Sequence, residues 1–224
     1  MALNRNFRTT YYKTLGVPVV QHIVDVEASY HALFAEPVIN VPQLVKLAAE
    51  VGISPTFRAT AWKVLCGVLP PHKCLWDFAT SERQQMYDDF VDAAHVLGVS
   101  PMTSSPADRC DDSSLSHQHH SHSIRSLIEL YRVYEREIQG QRTCSYFADD
   151  DSFLAGVVAV LQTVLTASPV DQFWCLTRIV SVFDCGHDLA DSDVSAISFD
   201  DITVADFEHH FVRALDSLKS SNRP

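Results

Sequence analysis

Apolar residues recur along this chain every three or four positions, the spacing of a helix that buries one side. Phe7, Tyr11 and Leu15 open the series and Pro18 closes it, which predicts a short helix over residues 6–15. Ile23 to Phe34, bounded by Pro37, predicts a second. Val41 to Val51 predicts a third, with Pro42 in its first turn and Gly52 just past its end. That asymmetry follows from proline's missing N–H and glycine's free φ. Ser54 and Pro55 predict the start of a fourth helix, the serine hydroxyl as N-cap and the proline at the first helical position. It runs to about Cys66 and stops at Gly67 and Pro70. Leu75 to Leu97 reads as a long helix whose apolar stripe is Met86, Phe90, Ala93 and Leu97.

Residues 100–123 break the rhythm. They hold serine, proline, aspartate and histidine with almost nothing to bury, and read as a disordered loop. Helical spacing returns at Ile124 to Ile138, through Ile124, Leu127, Tyr131, Tyr134 and Ile138. Asp149, Asp150 and Asp151 then place negative charge where a helix dipole favours it. Phe153, Leu154, Val157, Val158, Val160, Leu161, Val164 and Leu165 follow, the pattern of a helix buried on most sides. Asp171 is read as the cap of a helix over Gln172 to Phe183, Cys185 to Asp201 as an acidic loop, and Val204 to Leu218 as a last amphipathic helix through Phe207, Phe211, Ala214 or Leu215, and Leu218. Alternating strands and hairpin turns are not evident. The fold class is therefore all-α, in three parts: a helical N-terminal lobe over 1–99, the Ser/His-rich loop over 100–123, and further helices over 124–224.

Charge narrows the function classes. Lys and Arg number 17 against 28 Asp and Glu, a net charge of -11, which argues against a phosphate-backbone partner. No apolar run reaches the roughly 18 residues of a membrane span. The six cysteines (Cys66, Cys74, Cys110, Cys144, Cys175 and Cys185) form no Cys-x-x-Cys pair and read as reduced thiols. His117, His119, His120 and His122 crowd together, yet they alternate with serine and glutamine in low-complexity sequence, where no ligand geometry is fixed. Cys185-Gly186-His187 lies in acidic surroundings that would raise a thiol pKa rather than lower it. Glu208-His209-His210 reads as a solvated helix face, and no phosphate-binding glycine loop occurs. Catalytic, cofactor-binding and metal-binding residues are thus expected to be none.

One block carries more information than its spacing. Arg58 and Trp62 stand four apart, on one side of a helix, and the block ends in Gly67-Val-Leu-Pro70-Pro71. By itself the pair reads as a buried tryptophan beside an arginine that pairs with a carboxylate. The block also resembles the opening motif of the TBC domain, the helical module of Rab-type GTPase-activating proteins. Arg5-Asn6-Phe7-Arg8-x-x-Tyr11-Tyr12 precedes it; Asp149-Asp150-x-x-Phe153-Leu154-Ala155 and Phe173-Trp174-x-x-Thr177-Arg178 follow. In that order the blocks look like the branch of the family that forms the small third subunit of the tuberous sclerosis complex. The match is good over residues 5 to about 98, patchier over 124–184 and weak afterwards.

The resemblance implies a TBC (Rab-GAP-like) helical domain, its N-terminal half with part of the second, as in a shortened form. It assigns Arg58, Trp62, Gly67, Pro70 and Pro71 to a structural motif. Active members use Ile-x-x-Asp-x-x-Arg and Tyr-x-Gln, whose arginine and glutamine serve GTP hydrolysis. Neither spacing occurs in this chain; Asp108-Arg109 and Tyr146-Phe147-Ala148 are the nearest fragments. The implied role is a non-catalytic subunit, cytoplasmic and peripheral on lysosomes or vesicles through its partners. It would bind a hamartin-like coiled coil and through it tuberin, which acts on the small GTPase Rheb. The alternative is a Rab GTPase-activating protein, with Arg109 and Arg125 the first arginines to test.

Overall fold

The computed structural model describes residues 19–98, 124–137, 146–166, 168–187, 199 and 202–221. Eight α-helices fall among them: α1 (Val19–Ala35), α2 (Val41–Val51), α3 (Arg58–Leu65), α4 (Trp76–Val96), α5 (Ile124–Glu137), α6 (Asp151–Val164), α7 (Pro169–His187) and α8 (Val204–Ser221). A single 3₁₀ turn, Lys73–Leu75, leads into α4. Extended pairing among the described residues is limited to one antiparallel bridge between Val38 and His72, held by Ile39 N–H to Pro71 C=O (2.9 Å) and Lys73 N–H to Pro37 C=O (3.1 Å). The expected helix over residues 6–15 and the loop over 100–123 lie outside the described residues.

The ends of α2 follow the sequence logic. The Asn40 side chain accepts from Gln43 N–H (3.1 Å), Pro42 sits in the first turn, and Gly52 adopts φ 78° while its N–H closes on Ala48 C=O (3.0 Å). Asp150 caps α6 by accepting from Ser152 and Phe153 N–H at 2.9 and 3.1 Å. Three other expectations are corrected. Ser54 is no helix cap: its hydroxyl donates to the Glu27 carboxylate, a turn occupies residues 55–57, and α3 begins at Arg58 without a side-chain cap. Ser168, not Asp171, caps α7, its hydroxyl oxygen accepting from Asp171 N–H (3.1 Å), because Pro169 starts that helix earlier than its apolar pattern does. Cys185 belongs to the end of α7 rather than to a loop.

The long helix α4 departs furthest from its pattern. Tyr87, Phe90 and Ala94 are its buried residues, while Ala93 is exposed and Met86 and Leu97 stand half in water. The buried face is turned by about one position from the stripe that the sequence suggests. The aromatic rings explain the turn: Tyr87 and Phe90 meet Phe173 of α7 at 5.5 and 5.6 Å, and Phe90 meets Tyr134 of α5 at 5.7 Å.

α8 closes the arrangement by packing along both α7 and α2, so the last helix returns to the first part of the chain. The buried side chains form one continuous core from Tyr30 to Leu215. α7 is its centre, with Phe173, Cys175, Leu176, Ile179 and Val182 wholly removed from water. Its buried polar groups are satisfied by backbone: Gln172 Nε2 donates to Leu165 C=O (2.7 Å) and Thr177 Oγ1 to Trp174 C=O (2.8 Å). Phe199 crosses α6 so closely that a Cβ on Gly156 would lie 2.4 Å from its carbonyl oxygen. Its ring meets Phe153 at 4.8 Å, Phe183 at 6.3 Å and Phe207 at 6.5 Å.

Candidate functional site

The Arg58 to Pro71 block splits between two places. Arg58 is the first residue of α3 and Trp62 stands one turn further on. Both reach Glu208 of α8. Trp62 Nε1 donates to Glu208 Oε1 at 2.8 Å, and Arg58 Nε lies 2.8 Å from the same oxygen. The Arg58 N–H does not point along that line, so the second contact is an ion pair rather than a linear hydrogen bond. Arg58 Nη2 also leans towards Ile53 C=O at 3.4 Å. The Trp62 ring has no exposed surface and lies against both Phe207 and Phe211, at 5.7 and 5.9 Å.

Gly67, Pro70 and Pro71 lie at the other end of α3 and shape its exit. Cys66 N–H closes on Trp62 C=O (2.8 Å), Gly67 takes φ 71°, and Leu69 N–H reaches back to Lys63 C=O (3.0 Å). A side chain at Gly67 would meet no neighbour, so the positive φ alone calls for glycine there. The Pro70 carbonyl accepts from Trp76 Nε1 (2.9 Å), which fixes where α4 starts. Arg83 of α4 places its guanidinium 4.8 Å from the Trp174 ring centre, and the Trp174 N–H donates to Arg83 C=O (3.1 Å).

Glu208 corrects the sequence reading. It was expected on a solvated face with His209 and His210, yet it is buried while His209 is exposed. Burial pushes its carboxyl pKa upward; the Trp62 N–H and the Arg58 charge pull it back only in part. Position carries a partial signal: Glu208 stands three residues before Phe211, a spacing that brings both to neighbouring positions on one side of the helix. The arrangement is a charge clasp under an aromatic lid, suited to joining α3 to α8.

The remaining candidates do not converge. Arg125 is at the surface and pairs with Glu129 one turn along α5 (3.0 Å). Tyr146 is exposed and Phe147 buried, in a turn whose Phe147 N–H donates to Asp184 (3.0 Å). Arg109 and the histidines at 117, 119, 120 and 122 lie outside the described residues. Cys66, Cys74, Cys175 and Cys185 are free thiols; burial, then the neighbouring Cys66, lifts the Cys175 thiol pKa well above its ordinary range. Among the described residues, no group of three or more His, Cys, Asp or Glu side chains could hold a metal ion, and no helix is long and apolar enough to cross a membrane.

No family model matches the chain. It is 27% identical over 188 residues to TBC1 domain family member 7 of Danio rerio, a stretch that takes in 84% of this chain and 56% of that protein. It is 23% identical over 181 residues to the Xenopus tropicalis protein of the same name (80% of this chain, 54% of that one). The Homo sapiens protein of that name is 23% identical over 179 residues (79% and 53%). The chain spans about half the length of these curated relatives. By sequence it is similar to TBC1 domain family member 7, a likeness that implies a helical domain of the TBC, Rab-GAP-like type, and its described residues are all-α.

Proposed function

We propose that this chain is a non-catalytic TBC-type subunit. It binds a hamartin-like coiled coil and stabilises a tuberous sclerosis-type complex. Within that assembly tuberin supplies the GTPase-activating restraint of Rheb and of TOR signalling. The chain works in the cytoplasm and reaches lysosomes or vesicles through its partners. Its helices fall into an N-terminal lobe over 1–99 and a further set over 124–224.

One observation carries this reading: a chain similar over 84% of its length to a TBC protein holds neither Ile-x-x-Asp-x-x-Arg nor Tyr-x-Gln in its 224 residues. Those residues are the ones a TBC enzyme would use to neutralise charge on the transferring phosphate and to orient water. Arg58 supports the reading too, since it is committed to Glu208 inside the fold. Co-purification with a hamartin-like coiled coil tests the proposal; a soluble pair that never associates would refute it. The alternative, a Rab GTPase-activating protein, is tested by single-turnover GTP hydrolysis across a Rab panel. Acceleration lost on replacing Arg125 or Arg109 would establish the enzyme.

A further inference from the structure

Two of the free thiols lie together in the core. Cys66 directly follows the last residue of α3 and Cys175 stands within α7; they are 5% and 0% exposed. Their side chains are in hydrogen-bond contact. A second link joins the same two helices. Lys63 of α3 and Asp171 of α7 form an ion pair at 3.4 Å, with 27% and 17% of their side-chain surface in water. Lys63 precedes Cys66 by three residues and Asp171 precedes Cys175 by four. The two pairs are therefore successive rungs between α3 and α7, about one helical turn apart. The charged rung reaches solvent, and the sulfur rung is almost dry.

A single buried cysteine acts as a small apolar group. Two in contact can also become one covalent link, because sulfurs that already touch need only a short further approach to a bond of about 2 Å. Burial decides which oxidant can reach them. Cys74 and Cys185 are exposed and open to large reagents. Cys66 and Cys175 admit only a small one, which selects hydrogen peroxide over a bulky disulfide. Burial also holds Cys175 as a neutral thiol, with its pKa well above the ordinary range. The first step thus falls to Cys66, the one of the two that keeps some surface in water.

We propose that Cys66 and Cys175 form a peroxide-sensitive dithiol that closes into a reversible disulfide joining α3 to α7. The Cys66 thiolate attacks one peroxide oxygen and the O–O bond breaks. A sulfenic acid forms on Cys66, and the departing hydroxide takes up the proton that the thiol released, leaving as water. The Cys175 sulfur then attacks the sulfenic sulfur. The S–S bond forms, the S–O bond breaks, and the hydroxyl group leaves with the Cys175 proton as a second water. Two electrons pass from two thiols to one peroxide. The link spans 109 residues along the chain and encloses α4, α5 and α6. It would keep α3 on α7 whether or not Glu208 of α8 is engaged, and it does not depend on the partner reading given above.

The test is a disulfide map of the full wild-type chain after hydrogen peroxide, with remaining thiols blocked before digestion, beside thermal melts taken before and after. A peptide linking Cys66 to Cys175 is expected as the main cross-link within the chain, lost again in dithiothreitol. The melting temperature of the oxidised chain is expected to rise by roughly 5 °C or more, since the enclosed loop is long. Cys175→Ala should halt the reaction halfway, leaving a Cys66 sulfenic acid that dimedone captures. Recovery of both thiols in reduced form while Cys74 and Cys185 oxidise would overturn the proposal. So would recovery of either one in a disulfide with another cysteine. The map is made on wild-type protein, so it decides the matter even where the variant fails to fold.

Discussion

α3 and α4 are neighbours in sequence and opposites in use. α3 has eight residues, and four of them (Ala61, Trp62, Val64 and Leu65) are buried. Even its first residue, the charged Arg58, is drawn onto a buried carboxylate. α4 has 21 residues and buries three, leaving Phe78, Met86 and Val96 in water. The difference lies in the neighbours. α3 is covered by α2, α7 and the Glu208 turn of α8, whereas α4 meets α5 and α7 on one side only. Apolar content therefore does not say which helix forms the core; the number of elements that can reach it does.

That contrast can be broken by substitution. The largest effect is expected from Trp62→Ala, which empties a fully enclosed site beside Phe207 and Phe211 and should cost about 4 kcal/mol in urea unfolding. Glu208→Ala should come next, at about 3 kcal/mol, since it strands the Trp62 N–H and the Arg58 charge; Arg58 keeps 30% of its side-chain surface, which places the cost at the lower end for a broken buried pair. A third test uses pH. Glu208 has a raised pKa in the folded state, so as pH climbs past the ordinary carboxylate range the unfolded chain ionises first. The folded state then loses stability until its own raised pKa is passed, and the loss levels off beyond it. Unfolding free energies of wild type and Glu208→Gln across pH 4 to 8 should show that decline in wild type and its absence in the variant. The smallest effect belongs to α4: Phe78→Ser and Met86→Ser should each change stability by no more than about 1 kcal/mol, because each side chain keeps half or more of its surface in water on folding. A large loss on the α4 side, or none on the α3 side, would erase the distinction.

Much of the helical order was legible in the sequence. Pro42 and Gly52 delimit α2, and Phe207 and Phe211 mark the buried side of α8, because caps and periodicity are local properties. The misplaced features are those decided by distant residues. Ser54 has the chemistry of a cap, but Glu27 of α1 competes for its hydroxyl. The stripe that the α4 sequence suggests stands one position away because Met86 and Leu97 satisfy helical spacing as well as Tyr87 and Ala94 do; only the rings of Phe173 and Tyr134 decide between them. Glu208 reads as solvent-facing in the sequence because glutamate beside two histidines is ordinarily a wet surface, and its partners stand far away along the chain. The Arg58–Trp62 pair was recognisable as a unit, while the carboxylate completing it was not.

The hydrogen bond from Trp62 to Glu208 joins positions 146 residues apart. A ribosome adding about 5–20 residues per second needs on the order of 10 s to travel that distance. For that interval the indole and the guanidinium of α3 are already made but have nothing to hold. The nascent N-terminal helices must therefore wait, with an aromatic surface open to chaperones or to misassembly, until α8 is delivered to lock them.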